Sequence, residues 1–129
     1  MEILAYISSM RIVHVITTID RGGAEKQLLI LCKQQLAIGH HLVVSPLKGD
    51  LEMAREFGAA GISIDLSLYN RNIFFQIKKL RKIQKEASIL FHAHLPQAEL
   101  VTSFLSKSSS KIIVSRHYAG KFAPNYPKL

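Results

Sequence analysis

The sequence predicts an α/β domain: a parallel sheet with helices on both faces. Short apolar runs rich in β-branched residues alternate with stretches of helical period, the pattern of strands buried on both faces and the helices that cover them. The connections are only a few residues long, which favours consecutive βα units over separate layers. At 129 residues, 48% hydrophobic and 20% charged, the chain has the size and composition of one globular domain. That composition places it among globular proteins rather than disordered or membrane-spanning ones.

Met10-Arg11 stands immediately before the first apolar run and reads as an alternative start, so residues 1–9 are expected to be an extension or a misplaced start outside the core. Ile12-Val13-His14-Val15-Ile16 is the first strand. A polar loop and the pair Gly22-Gly23 follow, and from about Ala24 the residues Leu28, Leu31, Cys32 and Leu36 form a helical stripe that Gly39 should stop in the left-handed conformation. Residues 40–45 read as the second strand. Lys48-Gly49-Asp50 makes a turn, with Asp50 expected to cap a helix over residues 51–60 that ends at Gly61. Residues 62–66 alternate and give the third strand. Helical spacing of Ile73, Ile77, Leu80 and Ile83 predicts a third helix over residues 73–86, with Lys78, Lys79, Arg81, Lys82 and Lys85 on the opposite arc. Residues 89–93 form the fourth strand, 96–106 the fourth helix, 107–110 a polar turn and 111–117 the fifth strand with its exit. Residues 118–129 show no periodicity and read as loop. This rhythm is Rossmann-like.

Open parallel sheets take their ligands beyond the carboxyl ends of the strands, and three chemically capable groups fall there. Gly22 and Gly23 open a helix, where backbone N–H groups and the positive dipole end suit an anion such as phosphate; the alternative is a tight strand-to-helix connection without a ligand. The third glycine of a dinucleotide fingerprint is missing. His92 and His94 alternate to one side of the fourth strand, His92 reading as a packing residue and His94 as packing or site. A metal site would need a third ligand, and no carboxylate or cysteine follows at a suitable spacing, so neither a metal nor a cofactor is expected. Arg116-His117 leaves the fifth strand, and His117 suits a hydrogen bond to a substrate hydroxyl or phosphate. His14 inside the first strand reads as structural, and His40 and His41 as surface residues. The single cysteine, Cys32, reads as core filling.

The net charge of +8 makes the surface attractive to nucleic acid, anionic lipid or phosphorylated substrates without choosing among them. The basic arc of the third helix is a solvated face that could also rest on an anionic membrane or a phosphate backbone, and the absence of interleaved aromatics argues against single-strand nucleic acid. No run approaches the roughly 18 apolar residues of a transmembrane helix, and residues 1–9 lack the basic start of a signal peptide. The expected location is cytoplasmic, with peripheral contact at the inner face of a membrane through Lys78, Lys79, Lys82 and Lys85.

The strand before Gly22-Gly23-Ala24-Glu25, the leucine-rich helix running to Gly39-His40, His92-Ala93-His94 and Ser115-Arg116-His117 occur in an order that resembles the N-terminal domain of the family 4 retaining glycosyltransferases, which have the GT-B fold. The similarity spans residues 10–124 and leaves 125–129 as the start of a truncated continuation. In that family two Rossmann-like domains face each other across a cleft, the N-terminal one holding mainly the acceptor and the C-terminal one the nucleotide-sugar. The resemblance implies that Gly22 and Gly23 meet the donor diphosphate, that His117 is the catalytic histidine near the transferred sugar, and that His94 lines the acceptor cleft; Arg116 is placed with it on its own chemistry. Glu25 belongs to the same motif, with a first-turn carboxylate complementing the helix dipole as its plain alternative.

Two departures stand out. Ile89 takes a place that is often acidic in the family. The family's donor site also uses two glutamates eight positions apart, and none of Glu2, Glu25, Glu52, Glu56, Glu86 and Glu99 has such a partner. The chain is thus expected to be half of an active site, inactive by itself and dependent on a C-terminal domain or a separate subunit. The leading expectation is the acceptor-side domain of an enzyme of cell-envelope biosynthesis, moving sugar from a nucleotide-sugar to a polysaccharide or lipid-linked acceptor. The rival is a non-catalytic phosphate- or nucleotide-binding module, and a third option is a basic binder of nucleic acid or membrane.

Overall fold

The computed structural model describes residues 9–106 and 111–116. Among these described residues nine elements follow one another: β1 (Arg11–Ile16), α1 (Gly23–Ile38), β2 (His41–Pro46), α2 (Ala54–Ala59), β3 (Ser63–Ile64), α3 (Ile73–Glu86), β4 (Leu90–His94), α4 (Pro96–Thr102) and β5 (Lys111–Ser115). The strands form one five-stranded sheet in the order β3-β2-β1-β4-β5, parallel throughout. This is the Rossmann-like α/β arrangement the sequence predicts.

Each strand's alternation divides the core in two. Val13, Val15, Phe91 and Ala93 point to one face, where Leu80 of α3 and Ala98 and Val101 of α4 cover them. Ile16 and Val44 point to the other, under Leu28 and Cys32 of α1 and Phe57 of α2. The strand order reverses direction between β1 and β4, so the first two helices lie on one face and the last two on the other. Burial of both faces explains why β1 is apolar along nearly its whole length. β5 is less covered: Ile113 is 46% and Val114 42% exposed.

Several boundaries differ from the sequence expectation. The second helix starts at Ala54, with Met53 as a cap that makes no side-chain bond; Asp50 lies in the loop before it, where its backbone N–H donates to the carboxylate of Asp20 at 2.9 Å. Leu51, expected inside that helix, has φ 57, which no right-handed helix can contain. The third strand pairs over two residues only, Val43 with Ser63 and Val44 with Ile64; Asp65 N–H to Val44 O at 2.8 Å is the last bond of that ladder, and the chain then turns, with Asp65 Oδ1 accepting the Ser67 N–H at 2.9 Å. The fourth helix ends at Thr102. The third helix has the predicted bounds, capped by Asn72, whose side chain accepts the Phe75 N–H at 2.8 Å. Its buried line, however, is Gln76, Leu80 and Gln84, flanked by Ile77 and Ile83, while Ile73 is 37% exposed. The two amides pass as core residues by bonding backbone: Gln76 Nε2 donates to Leu68 O at 2.9 Å, and Gln84 bridges the Ser106 backbone. Gly39 ends α1 in the left-handed conformation, φ 108. The expectations for residues 1–8, 107–110 and 117–129, including the polar turn and the terminal loop, lie outside the described residues.

Candidate functional site

The site expected at the carboxyl edge is framed by register. Ile16 pairs with Pro46 on one side and His94 on the other, and His94 pairs with Ser115, so the ends of β2, β1, β4 and β5 form one row. The crevice between β1 and β4 is the point where strand order reverses, and Thr17 holds it together. Its N–H donates to His94 O at 3.2 Å, its carbonyl accepts from Leu47 and Lys48, and its hydroxyl accepts the Ala98 N–H at 3.2 Å.

Beyond β1 the loop reaches α1, where Gly22 is the N-cap and makes no side-chain cap bond. A Cβ on Gly23 would meet nothing within 4 Å, whereas one on Gly22 would lie 2.6 Å from Glu25 Oε1. Glu25 is buried, at 8% exposure, and its Oε2 accepts the Thr18 hydroxyl at 2.8 Å. The turn is therefore asymmetric: one side is filled by a carboxylate and the other is open in front of the first-turn amides. Asp20 fixes the loop against its neighbour by accepting from Asp50 N–H at 2.9 Å and Glu52 N–H at 3.3 Å. Arg21 adds an N–H bond to Glu52 Oε1 at 2.8 Å and an ion pair with Glu56. Gly49, φ 99, allows that approach, since a Cβ there would lie 2.7 Å from Asp20 Oδ2.

The unexpected feature is a cluster of three imidazoles on the α1 face of the sheet. His14 of β1 lies beside His92 of β4 in register, and His94 follows two residues on; all three are buried. His14 Nδ1 is 3.0 Å from His94 Nε2 and His14 Nε2 is 2.7 Å from Gln35 Oε1. Because an amide oxygen only accepts, His14 carries its proton on Nε2, and its Nδ1 must then accept from His94 Nε2–H. Burial holds the His14 pKa below the ordinary imidazole value, only partly opposed by the bond to Gln35, so the neutral ring this chain of bonds requires is also the favoured one. His92 bonds the Ser115 hydroxyl. The three side chains offer ligand atoms within 4.8 Å of one another, the donor type of a three-imidazole metal centre; the third imidazole comes from β1, not from any residue downstream of His94.

His94 is thus at the edge but 1% exposed, its ring turned into the sheet toward His14. Arg116 is 42% exposed and pairs through Nε with Glu99 Oε1 of α4 at 3.2 Å, which directs its charge toward that helix. His117 lies outside the described residues. Leu95, directly after His94, has φ 76 and ψ 158, a conformation all but reserved for glycine and costing about 1–3 kcal/mol; such strain in a non-glycine residue gathers at working sites. Sequence reading missed the part played by His14. The signal was there in the period-two alternation of His92 and His94, but only the adjacency of β1 and β4 brings His14 to them.

Comparison with protein-family models and with curated protein sequences gave no match. Among solved structures, a glycosyltransferase from Rickettsia africae ESF-5 is similar over 92% of this chain, with a TM-score of 0.57 and 15% identity. The chain corresponds to 33% of that protein's length, so the likeness is one of fold, to one part of a larger enzyme.

Proposed function

We propose that residues 10–124 are the acceptor-side domain of a glycosyltransferase of the family 4 type, transferring sugar from a nucleotide-sugar to a polysaccharide or lipid-linked acceptor of the cell envelope in the cytoplasm. The observation that carries this reading is the row of strand ends at the β1/β4 reversal, where an uncapped amide turn, a strained loop and a buried imidazole chain meet. In this reading the amides of the first turn of α1 face the donor diphosphate on the open side of Gly23. They stabilise the charge that builds as the nucleoside diphosphate leaves. His117 serves at the transferred sugar, and His94 with Arg116 borders the acceptor. A donor-binding domain, on the same chain or a separate subunit, supplies the other half of the cleft, and the reaction requires both.

Titration of the isotopically labelled chain with a nucleoside diphosphate tests this. The backbone amides of Gly22, Gly23 and Ala24 should shift, weakly, and Gly23→Val should remove the response without unfolding the domain. Tight binding to the chain alone, with no glycosyl transfer when a donor domain is supplied, would favour the non-catalytic phosphate-binding module. Unmoved amides at millimolar ligand would refute both.

A further inference from the structure

The face of the domain opposite α1 and α2 carries a groove of about 1050 Å³ between α3 and α4. Apolar side chains line it in the open: Phe74 is 84% exposed, Phe104 54% and Leu100 47%. A phenylalanine standing almost wholly in water on a well-formed helix is costly to leave uncovered, and with the half-exposed Phe104 and Leu100 beside it Phe74 forms a patch that marks a docking surface. The rim is basic. Lys78, Lys79, Arg81, Lys82 and Lys85 line the same groove, and among the described residues no carboxylate lines it.

Those two properties together select the occupant. Another protein packed into the groove would have to strip water from several ammonium groups at once, and the groove supplies no counter-charge to offset the loss. A duplex nucleic acid would neutralise the lysines but has no use for projecting phenylalanines on a helix this basic. An anionic bilayer surface satisfies both, because headgroup phosphates meet the cations while the rings enter the acyl boundary and the long lysine stems keep their charges at headgroup level. Arg71, stacked 3.6 Å over the Phe75 ring, places a further cation at the start of α3.

We propose that the α3/α4 groove is a membrane-docking face for anionic lipid, anchored by Phe74 and Phe104 and attracted by the basic residues of α3. This holds whether or not the domain transfers sugar.

The test is sedimentation of the full 129-residue chain with vesicles of three parts phosphatidylcholine to one part phosphatidylglycerol, with pure phosphatidylcholine as reference. The chain should pellet with the anionic vesicles and not with the neutral ones. Phe74→Ser with Phe104→Ser should weaken the partition about a hundredfold, roughly tenfold for each ring withdrawn from the acyl boundary. Lys78→Glu with Lys82→Glu should weaken it at least thirtyfold, on the order of 1 kcal/mol for each lost cation. Both phenylalanines are exposed, so unchanged circular dichroism separates lost docking from lost folding. Three results overturn the proposal: equal binding to neutral vesicles; binding that depends on the lysines but is indifferent to both phenylalanines, as for a polyanion binder; or self-association through the groove that persists when anionic vesicles are added.

Discussion

The asymmetry of the Gly22-Gly23 turn makes a quantitative prediction. An alanine Cβ at position 22 would sit 2.6 Å from Glu25 Oε1 and 3.3 Å from its Cδ, so the carboxylate must swing away. It cannot do so freely, because it is buried and its other oxygen holds the Thr18 hydroxyl at 2.8 Å. Losing that charged hydrogen bond costs about 1.5–3 kcal/mol. Against it stands the reduced freedom of the unfolded chain, worth about 0.4–1 kcal/mol, since Gly22 has φ −167, extended backbone that alanine adopts without strain. Gly22→Ala should therefore destabilise by about 1–2 kcal/mol. In a Glu25→Ala background the obstacle is gone, and the same substitution should stabilise slightly. Gly23→Ala meets nothing and should be neutral or stabilising by up to about 1 kcal/mol in either background. Equilibrium urea unfolding of the single and double variants measures the coupling directly, expected at about 1.5–3 kcal/mol between positions 22 and 25. Equal costs for Gly22→Ala with and without Glu25 would refute the placement of the carboxylate. The same experiment also qualifies Gly23 variants for ligand work, because a substitution shown to be structurally silent reports only on what approaches the turn from outside.

Stability should fall on acidification through His14. Its pKa is held below the ordinary value by burial, so below about pH 6.5 the unfolded chain takes up a proton that the folded one refuses. The contribution is full above that pH and declines below it, by up to about 1.4 kcal/mol per pH unit; urea midpoints at pH 7.5 and 5.5 should diverge less in His14→Gln, and identical slopes would contradict it. Cys32 is fully buried and burial pushes its thiol up to about 12, so iodoacetamide at pH 8 should leave the native chain unlabelled and label it completely in urea. Gly49→Ala combines a left-handed φ of 99 with a Cβ 3.0 Å from Thr18 Cβ and 2.7 Å from Asp20 Oδ2; a loss of at least about 2 kcal/mol in urea unfolding is expected, far beyond the response at Gly23.

Patterns written along one element were legible in the sequence; those created between elements were not. The apolar run of β1 announces a doubly covered strand, and the spacing from Ile73 to Ile83 gives α3 its correct limits, because each signal repeats within a single strand or helix. Asp50 failed as a cap because Leu51 directly after it is left-handed, in a loop that Asp20, thirty residues earlier, holds by the Asp50 N–H. Periodicity also rates Gln76 and Gln84 as polar, although their amides suit them to a core bordered by loop carbonyls such as Leu68 O, which accepts from Gln76 Nε2. The glycine turn could be seen, but the closure of one side by Glu25 could not. The basic arc of α3 could likewise be read, whereas its meaning changes once Phe74 and Phe104 are found exposed beside it.

The three imidazoles pose the larger physical question, because polar rings buried under a helix lower stability unless each is bonded. Their position supplies the answer. β1 and β4 are the strands on either side of the reversal in strand order, and a parallel register fixes His14 against His92, so the rings stand behind the crevice where such sheets take ligands. Gln35, on the last turns of α1, sets the tautomer of His14, and His14 in turn sets that of His94, which leaves His94 Nδ1 as an acceptor at the strand end. Helix α1 thereby touches the crevice twice: through the amides at its start and through an amide oxygen near its end. The bonds from Gln35 to His14 and from His14 to His94 tie the last turns of α1 to the end of β4, with a direction that a purely apolar face could not supply.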